Sequence, residues 1–143
     1  MANDDGANLK GTGQQGLEEL RYIQQVYQNQ YAMAGNSINI LLQELQQLNS
    51  TQKTFENVDL LPNKDVVMNI GSDFYLFGRV PNPKTALVGV GAGYIIEKDI
   101  DSAKTYVADL IKKRTEDLNR LTKSRKEIEG ALIEVSYRLE NTR

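Results

Sequence analysis

Residues 66–98 read VVMNIGSDFYLFGRVPNPKTALVGVGAGYIIEK, and this stretch decides the fold. Its β-branched and aromatic runs are cut by Gly71-Ser72-Asp73, Pro81-Asn82-Pro83-Lys84 and Gly91-Ala92-Gly93. Turn-forming clusters at that spacing predict four short strands, 66–70, 74–80, 85–90 and 94–98, joined as successive hairpins. An isolated hairpin is marginal in water because it has no layer on which to bury an apolar face. Val66, Ile70, Phe74, Leu76, Phe77, Val80, Leu87, Val88, Val90, Ile95 and Ile96 are too many apolar side chains to leave in solvent. The strands are therefore expected to complete a sheet or barrel with other subunits, which would also dispose of their open edges.

Outward from this block the pattern changes on both sides to a long heptad-patterned segment without a proline. Ahead of it, one set of seam positions is Leu17, Gln24, Tyr31, Ile38, Leu45 and Gln52; the other is Leu20, Tyr27, Ala34, Leu41, Leu48 and Phe55. Behind it, Ile100, Val107, Arg114, Leu121, Ile128 and Val135 interleave with Lys104, Ile111, Leu118, Arg125, Leu132 and Leu139. A 3-4 spacing held through about six heptads marks a coiled coil rather than a globular surface helix. The helices match in length, at about 42 residues or roughly 63 Å each. If the hairpins return the chain beside itself, the helices pair antiparallel. The expected fold is α+β: a long antiparallel two-helix coiled coil with two β-hairpins between the helices, the hairpins completing an oligomeric β-barrel. Residues 1–13 hold little besides Asn, Asp, Gly and Thr and read as a disordered tail. Residues 14–56 are the first helix, 57–98 the double-hairpin assembly module and 99–143 the second helix. Asn57, Asp59, Pro62 and Asn63 break the chain between the first helix and the strands.

The antiparallel register sets Tyr31 near Arg125 and Glu44 near Arg114. Two readings follow for arginines in an apolar seam: a cation–π contact and an ion pair, or side chains that snorkel outward. Gly35 reads as a soft point costing about 1 kcal/mol against alanine. The helix exteriors differ. Between Tyr22 and Gln43 there is no charged residue. With Gln and Asn supplying the polarity, beside Ser37, that is either Gln-rich drift or a face that receives something apolar and varied. The second helix instead offers the spaced charge pairs Lys112/Glu116, Lys113/Asp117, Glu116/Arg120, Lys123/Glu127, Arg125/Glu129 and Glu134/Arg138. Asp99 or Asp101 can cap its start.

Composition excludes much chemistry. The 143 residues include no histidine, cysteine or tryptophan, so zinc–thiolate sites, Cys or His nucleophile–base pairs and disulfides are out. The net charge of −2 carries no signal for nucleic acid. The N-terminal sequence has no signal-peptide pattern, and no apolar run approaches the roughly 20 residues of a membrane span, so a soluble, cytoplasmic protein is expected. Gly89-x-Gly91-x-Gly93 has the wrong spacing for a dinucleotide fingerprint and leads into a strand, so its glycines serve turns. Neither an enzyme nor a cofactor is expected. The ends of the helices farthest along the chain from the hairpins are more informative. Besides seam residues, Tyr22, Ile23 and Val26 on one helix and Ile133 and Tyr137 on the other are apolar without seam burial, and an exposed apolar tip is a binding surface or a liability. The candidate contact set at this tip is Leu17, Leu20, Tyr22, Ile23, Val26, Leu132, Ile133, Val135, Tyr137 and Leu139. Met33, Ile40 and Tyr106 are further off-seam apolar residues along the helices.

Two segments carry a family resemblance. VVMNIGSDFYLFGRV resembles the first hairpin, and ALVGVGAGYIIEKDIDSAKTYV the second hairpin and following helix, of the alpha class of the archaeal and eukaryotic prefoldin family. Met68-Asn69-Ile70-Gly71-Ser72-Asp73 departs from that family's usual Pro-Val-Gly-Ala-Gly-Ser. The resemblance implies that two such subunits join four beta-type subunits in a heterohexamer, with a double β-barrel body and six coiled-coil tentacles. It further implies that the tips bind unfolded client proteins without ATP and pass them to a group II chaperonin. The competing reading is a structural coiled-coil adaptor or filament subunit that binds no client.

Overall fold

The computed structural model describes residues 13–142. The elements run α1 (Gly13–Glu56), a 3-10 turn (Val58–Leu60), β1 (Val66–Gly71), β2 (Phe74–Gly78), β3 (Thr85–Gly91), β4 (Tyr94–Asp99) and α2 (Ile100–Asn141). Of the tail expected over residues 1–13, residues 1–12 lie outside the described residues, and Gly13 already opens α1. The chain divides into two units: a hairpin unit, Gln43–Thr115, and an end unit of residues 13–42 with 116–142.

The heptad frame accounts for burial in both units. Every predicted seam position on either helix is buried or half-buried. In the end unit Leu20 and Val135 are closed off, and in the hairpin unit Ile100, Ala103 and Val107 are. The two helices run antiparallel within each unit. Gln24 Nε2 donates to Ser136 Oγ across the end unit at 3.0 Å. Arg114 Nε meets Glu44 Oε2 at 2.9 Å in the hairpin unit. The second contact is the expected ion pair. The exteriors also differ as composition requires: Tyr22, Met33, Ile40 and Leu42 stand exposed on α1. Fewer charge pairs form on α2 than its spacing offers. Glu134 pairs with Arg138 as expected, but Arg120 turns to Asp117 instead of Glu116. Arg125 is withdrawn from Glu129 into the seam, over the ring of Tyr31.

The strands form two separate two-stranded antiparallel sheets, β1 with β2 and β3 with β4. Val66 pairs with Gly78 and Met68 with Leu76; in the second hairpin Val88 pairs with Ile96 and Thr85 with Asp99. Each register shifts by one residue just before its turn, between Asn69 and Gly71 and between Gly89 and Gly91. The second turn centres on Ala92 and Gly93, with φ of 51° and 80°. Positive φ at both central residues is what a type I′ turn needs to match strand twist, so these glycines do serve a turn. In the first hairpin the Asn69 side chain acts as a brace. Its Oδ1 accepts from Gly71 N at 2.8 Å and its Nδ2 donates to the Ser72 carbonyl at 3.0 Å. That side-chain bonding explains how Ser72, a non-glycine, holds a φ of 48°. An ion pair of Arg79 with Asp65 at 2.9 Å closes the open end of the same hairpin.

Helix α2 starts without a loop. Asp99 ends β4 and Ile100 begins the helix. Asp99 Oδ1 accepts from Ser102 N at 2.7 Å, so it is Asp99, not Asp101, that caps. The Ser102 backbone N–H, with its hydroxyl and nearby Lys98, holds this carboxyl below its usual pKa.

Candidate functional site

Two surfaces carry the apolar groups that the fold leaves uncovered. The first is the pair of hairpins. Of the residues expected to mediate assembly, Ile70, Phe74, Leu76, Leu87, Val90, Ile95 and Ile96 are exposed, while Val66, Val80 and Val88 are half-buried. Val67, Met68, Tyr75 and Tyr94, absent from that expected set, are exposed beside them, as is Phe77. Strand alternation could have found them: in a two-stranded sheet both faces are bare, so residues opposite the chosen face are also in solvent. Val67 faces Phe77 across the ladder, and Asn69 faces Tyr75, on the face opposite Met68 and Leu76. Met68 lies across Gly78, whose missing side chain leaves the room.

The second surface lies in the end unit, where α1 begins and α2 finishes. The ten residues expected there separate by burial. Tyr22, Ile133 and Tyr137 are 69%, 63% and 66% exposed, which makes them the available contacts. Leu17, Ile23, Val26, Leu132 and Leu139 are half-buried, and Leu20 and Val135 are sealed in the seam. The exposed residues sit in open grooves. Tyr22 and Ile23 line one with Glu18 and Glu19. Ile133 and Tyr137 line another with Leu132 and Ser136. A third runs between the helices, floored by Leu20, Ile23, Tyr27, Ala131 and Val135 and edged by Glu134 and Arg138. These grooves are shallow, mostly apolar and mixed in shape, a form that suits varied apolar side chains better than one small molecule.

Among the described residues, no group of three or more His, Cys, Asp or Glu could hold a metal ion. No described helix is long and apolar enough to cross a membrane.

Comparison with known proteins agrees with this geometry. The family model described as "Prefoldin subunit" matches residues 22–141. The chain is 27% identical over 125 residues to Prefoldin subunit alpha of Pyrococcus horikoshii, covering 86% of this chain and 80% of the relative. It is 26% identical over 147 residues to Prefoldin subunit alpha of Methanocorpusculum labreanum, covering 97% and 92%. Among solved structures, the filamentous prefoldin of Methanocaldococcus jannaschii shares the fold with a TM-score of 0.59 at 23% identity, over 85% of this chain and 95% of that one.

Proposed function

This chain belongs to the prefoldin family, and from that premise we propose that it is an alpha-type subunit of an ATP-independent, non-enzymatic co-chaperone. Two copies assemble through their hairpins with four beta-type subunits, closing an oligomeric β-barrel over Phe74, Leu76, Leu87 and Ile95. The coiled-coil end captures unfolded polypeptide in the cytoplasm and passes it to a group II chaperonin. The observation that carries capture is the exposure of Tyr22, Ile133 and Tyr137, apolar groups that the seam does not need. Several such weak contacts, one set per subunit, give avidity without a fixed pocket.

The test replaces Tyr22, Ile133 and Tyr137 together with serine and measures suppression of aggregation of a denatured protein by the assembled complex. Loss of suppression with assembly intact is expected. Full suppression by the variant complex would place capture elsewhere. The second reading, a filament subunit without clients, draws on the filament formed by the Methanocaldococcus jannaschii relative. Native mass spectrometry with and without a beta-type subunit separates the two: a mixed hexamer supports the first, and open-ended homo-oligomers support the second.

A further inference from the structure

Arg125 is the least expected residue in the seam of the end unit. Its guanidinium carbon stands 4.0 Å from the centre of the Tyr31 ring. It also lies so close to Gly35 that a Cβ there would meet Nη2 at 2.7 Å and Cζ at 3.0 Å. Nε is shut off from solvent and has no hydrogen-bond partner among the described residues. Arg125 is half-buried, and drawing part of a cation out of water without a carboxylate is unfavourable, so the recess that receives it must suit it closely. Two residues one turn apart on α1 make that recess. Tyr31 supplies a π face, and Gly35, buried itself, supplies the absent side chain. Gly35 is therefore not the soft point its helix propensity suggests; it is the space Arg125 occupies.

A heptad seam by itself tolerates slippage, because a shift of seven residues carries seam positions onto seam positions. Arg125 does not tolerate it. A slip of one heptad would bring it to Gln24 and Gln28 in one direction, or to Ile38 and Leu42 in the other. Neither pair offers a ring above and a gap below. We infer that Tyr31, Gly35 and Arg125 form a register key, which fixes how α2 lies along α1 in the end unit. This is the best-attested use of a polar group buried in a coiled coil. The inference rests on the capture reading and deepens it, because the groove between the helices takes Leu20, Ile23 and Tyr27 from one and Ala131 and Val135 from the other. Register sets the make-up of that surface. Arg125 and Gly35 are thus positioning residues, acting through the residues that touch a client.

The chain has no cysteine of its own, so nitroxide labels on Gln30→Cys and Glu127→Cys, both exposed positions, report the spacing of the helices without interference. The labelled full chain is diluted with unlabelled copies and measured by pulsed electron paramagnetic resonance, with helix content followed by circular dichroism. The parent is expected to give one narrow distance distribution. Arg125→Leu should add a second, matching an axial slip of about 10 Å, one heptad at 1.5 Å per residue. Its Tm should change little, since a half-buried charge without a carboxylate partner is replaced by an apolar group. Gly35→Ala should give the same second population although alanine is the better helix former, and it serves if Arg125→Leu does not fold. A single unchanged distribution in the folded variants would overturn the key. Aggregation suppression by the same variants reads the consequence: several-fold loss alongside the slip supports positioning, and slip with full suppression overturns it. A parent that suppresses no aggregation sinks the capture reading instead, and the distances still decide the key.

Discussion

The seam and the hairpins treat apolar surface in opposite ways. Val107 in the seam is 5% exposed, whereas Phe77 in the hairpins is 79% exposed, though both lie in the same unit. A helix satisfies its own backbone and needs only one stripe covered, and the second helix covers it. A two-stranded sheet has two faces and two edges, and among the described residues most of that surface stays uncovered. The helices are folded against each other by the chain itself, while the strands hold a demand that only another surface can meet.

The largest effect should come from charging the hairpins. Phe77→Asp with Leu87→Asp is expected to leave helix content intact by circular dichroism but to reduce the assembled species to free subunits in native mass spectrometry. Assembly that survived would break the contrast between the two regions. In the seam, Val107→Ala should cost about 1–3 kcal/mol in thermal unfolding of the whole, through lost burial and the cavity left behind. Glu44→Ala tests how much the ion pair with Arg114 adds to that seam. Both side chains keep more than a third of their surface in solvent, so a loss under about 1 kcal/mol is expected, vanishing at high salt. The smallest effect concerns Asp99, where strand meets helix. Its carboxyl titrates below the ordinary 3.8, so its contribution is present at neutral pH and is lost as pH falls through the acid range below 3.8. Asp99→Asn should flatten that limb of the stability–pH curve, and an unchanged limb would mean the cap holds nothing.

What could be read from residues follows from periodicity. Seam positions and hairpin turns repeat a pattern that solvent and backbone geometry impose, so the heptads and the Gly71 and Gly91 turns were legible. The pairing of Tyr31 with Arg125 and of Glu44 with Arg114 followed from chain reversal alone. Less could be read where a contact joins one particular atom to another. The Asn69 brace depends on a side chain reaching forward two and three residues. The role of Gly35 depends on a guanidinium arriving from the other helix, and propensity alone pointed the wrong way. On the candidate surface, heptad spacing set Tyr22, Ile133 and Tyr137 off the seam that closes over Leu20 and Val135, but it did not show that Ile23 and Val26, also off the seam, are half-buried. Heptad phase drifts with small changes in helix twist, so burial near the helix ends is set by packing rather than by count.

The joint between β4 and α2 has a mechanical meaning. Ile100 N donates to the Lys84 carbonyl at 2.9 Å, and the Lys98 ammonium rests 5.4 Å from the centre of the Tyr106 ring, so the last residues of the hairpin and the first turns of the helix are stitched together. Helix α1 reaches its own hairpin differently, through residues 57–65, a passage of turns in which Asn63 sits at a φ of 64°. Turns can take up a change of backbone angle, and a strand that becomes a helix without a break cannot. A rotation imposed on the second hairpin would therefore meet the start of α2 directly, whereas one imposed on the first would have residues 57–65 to take it up.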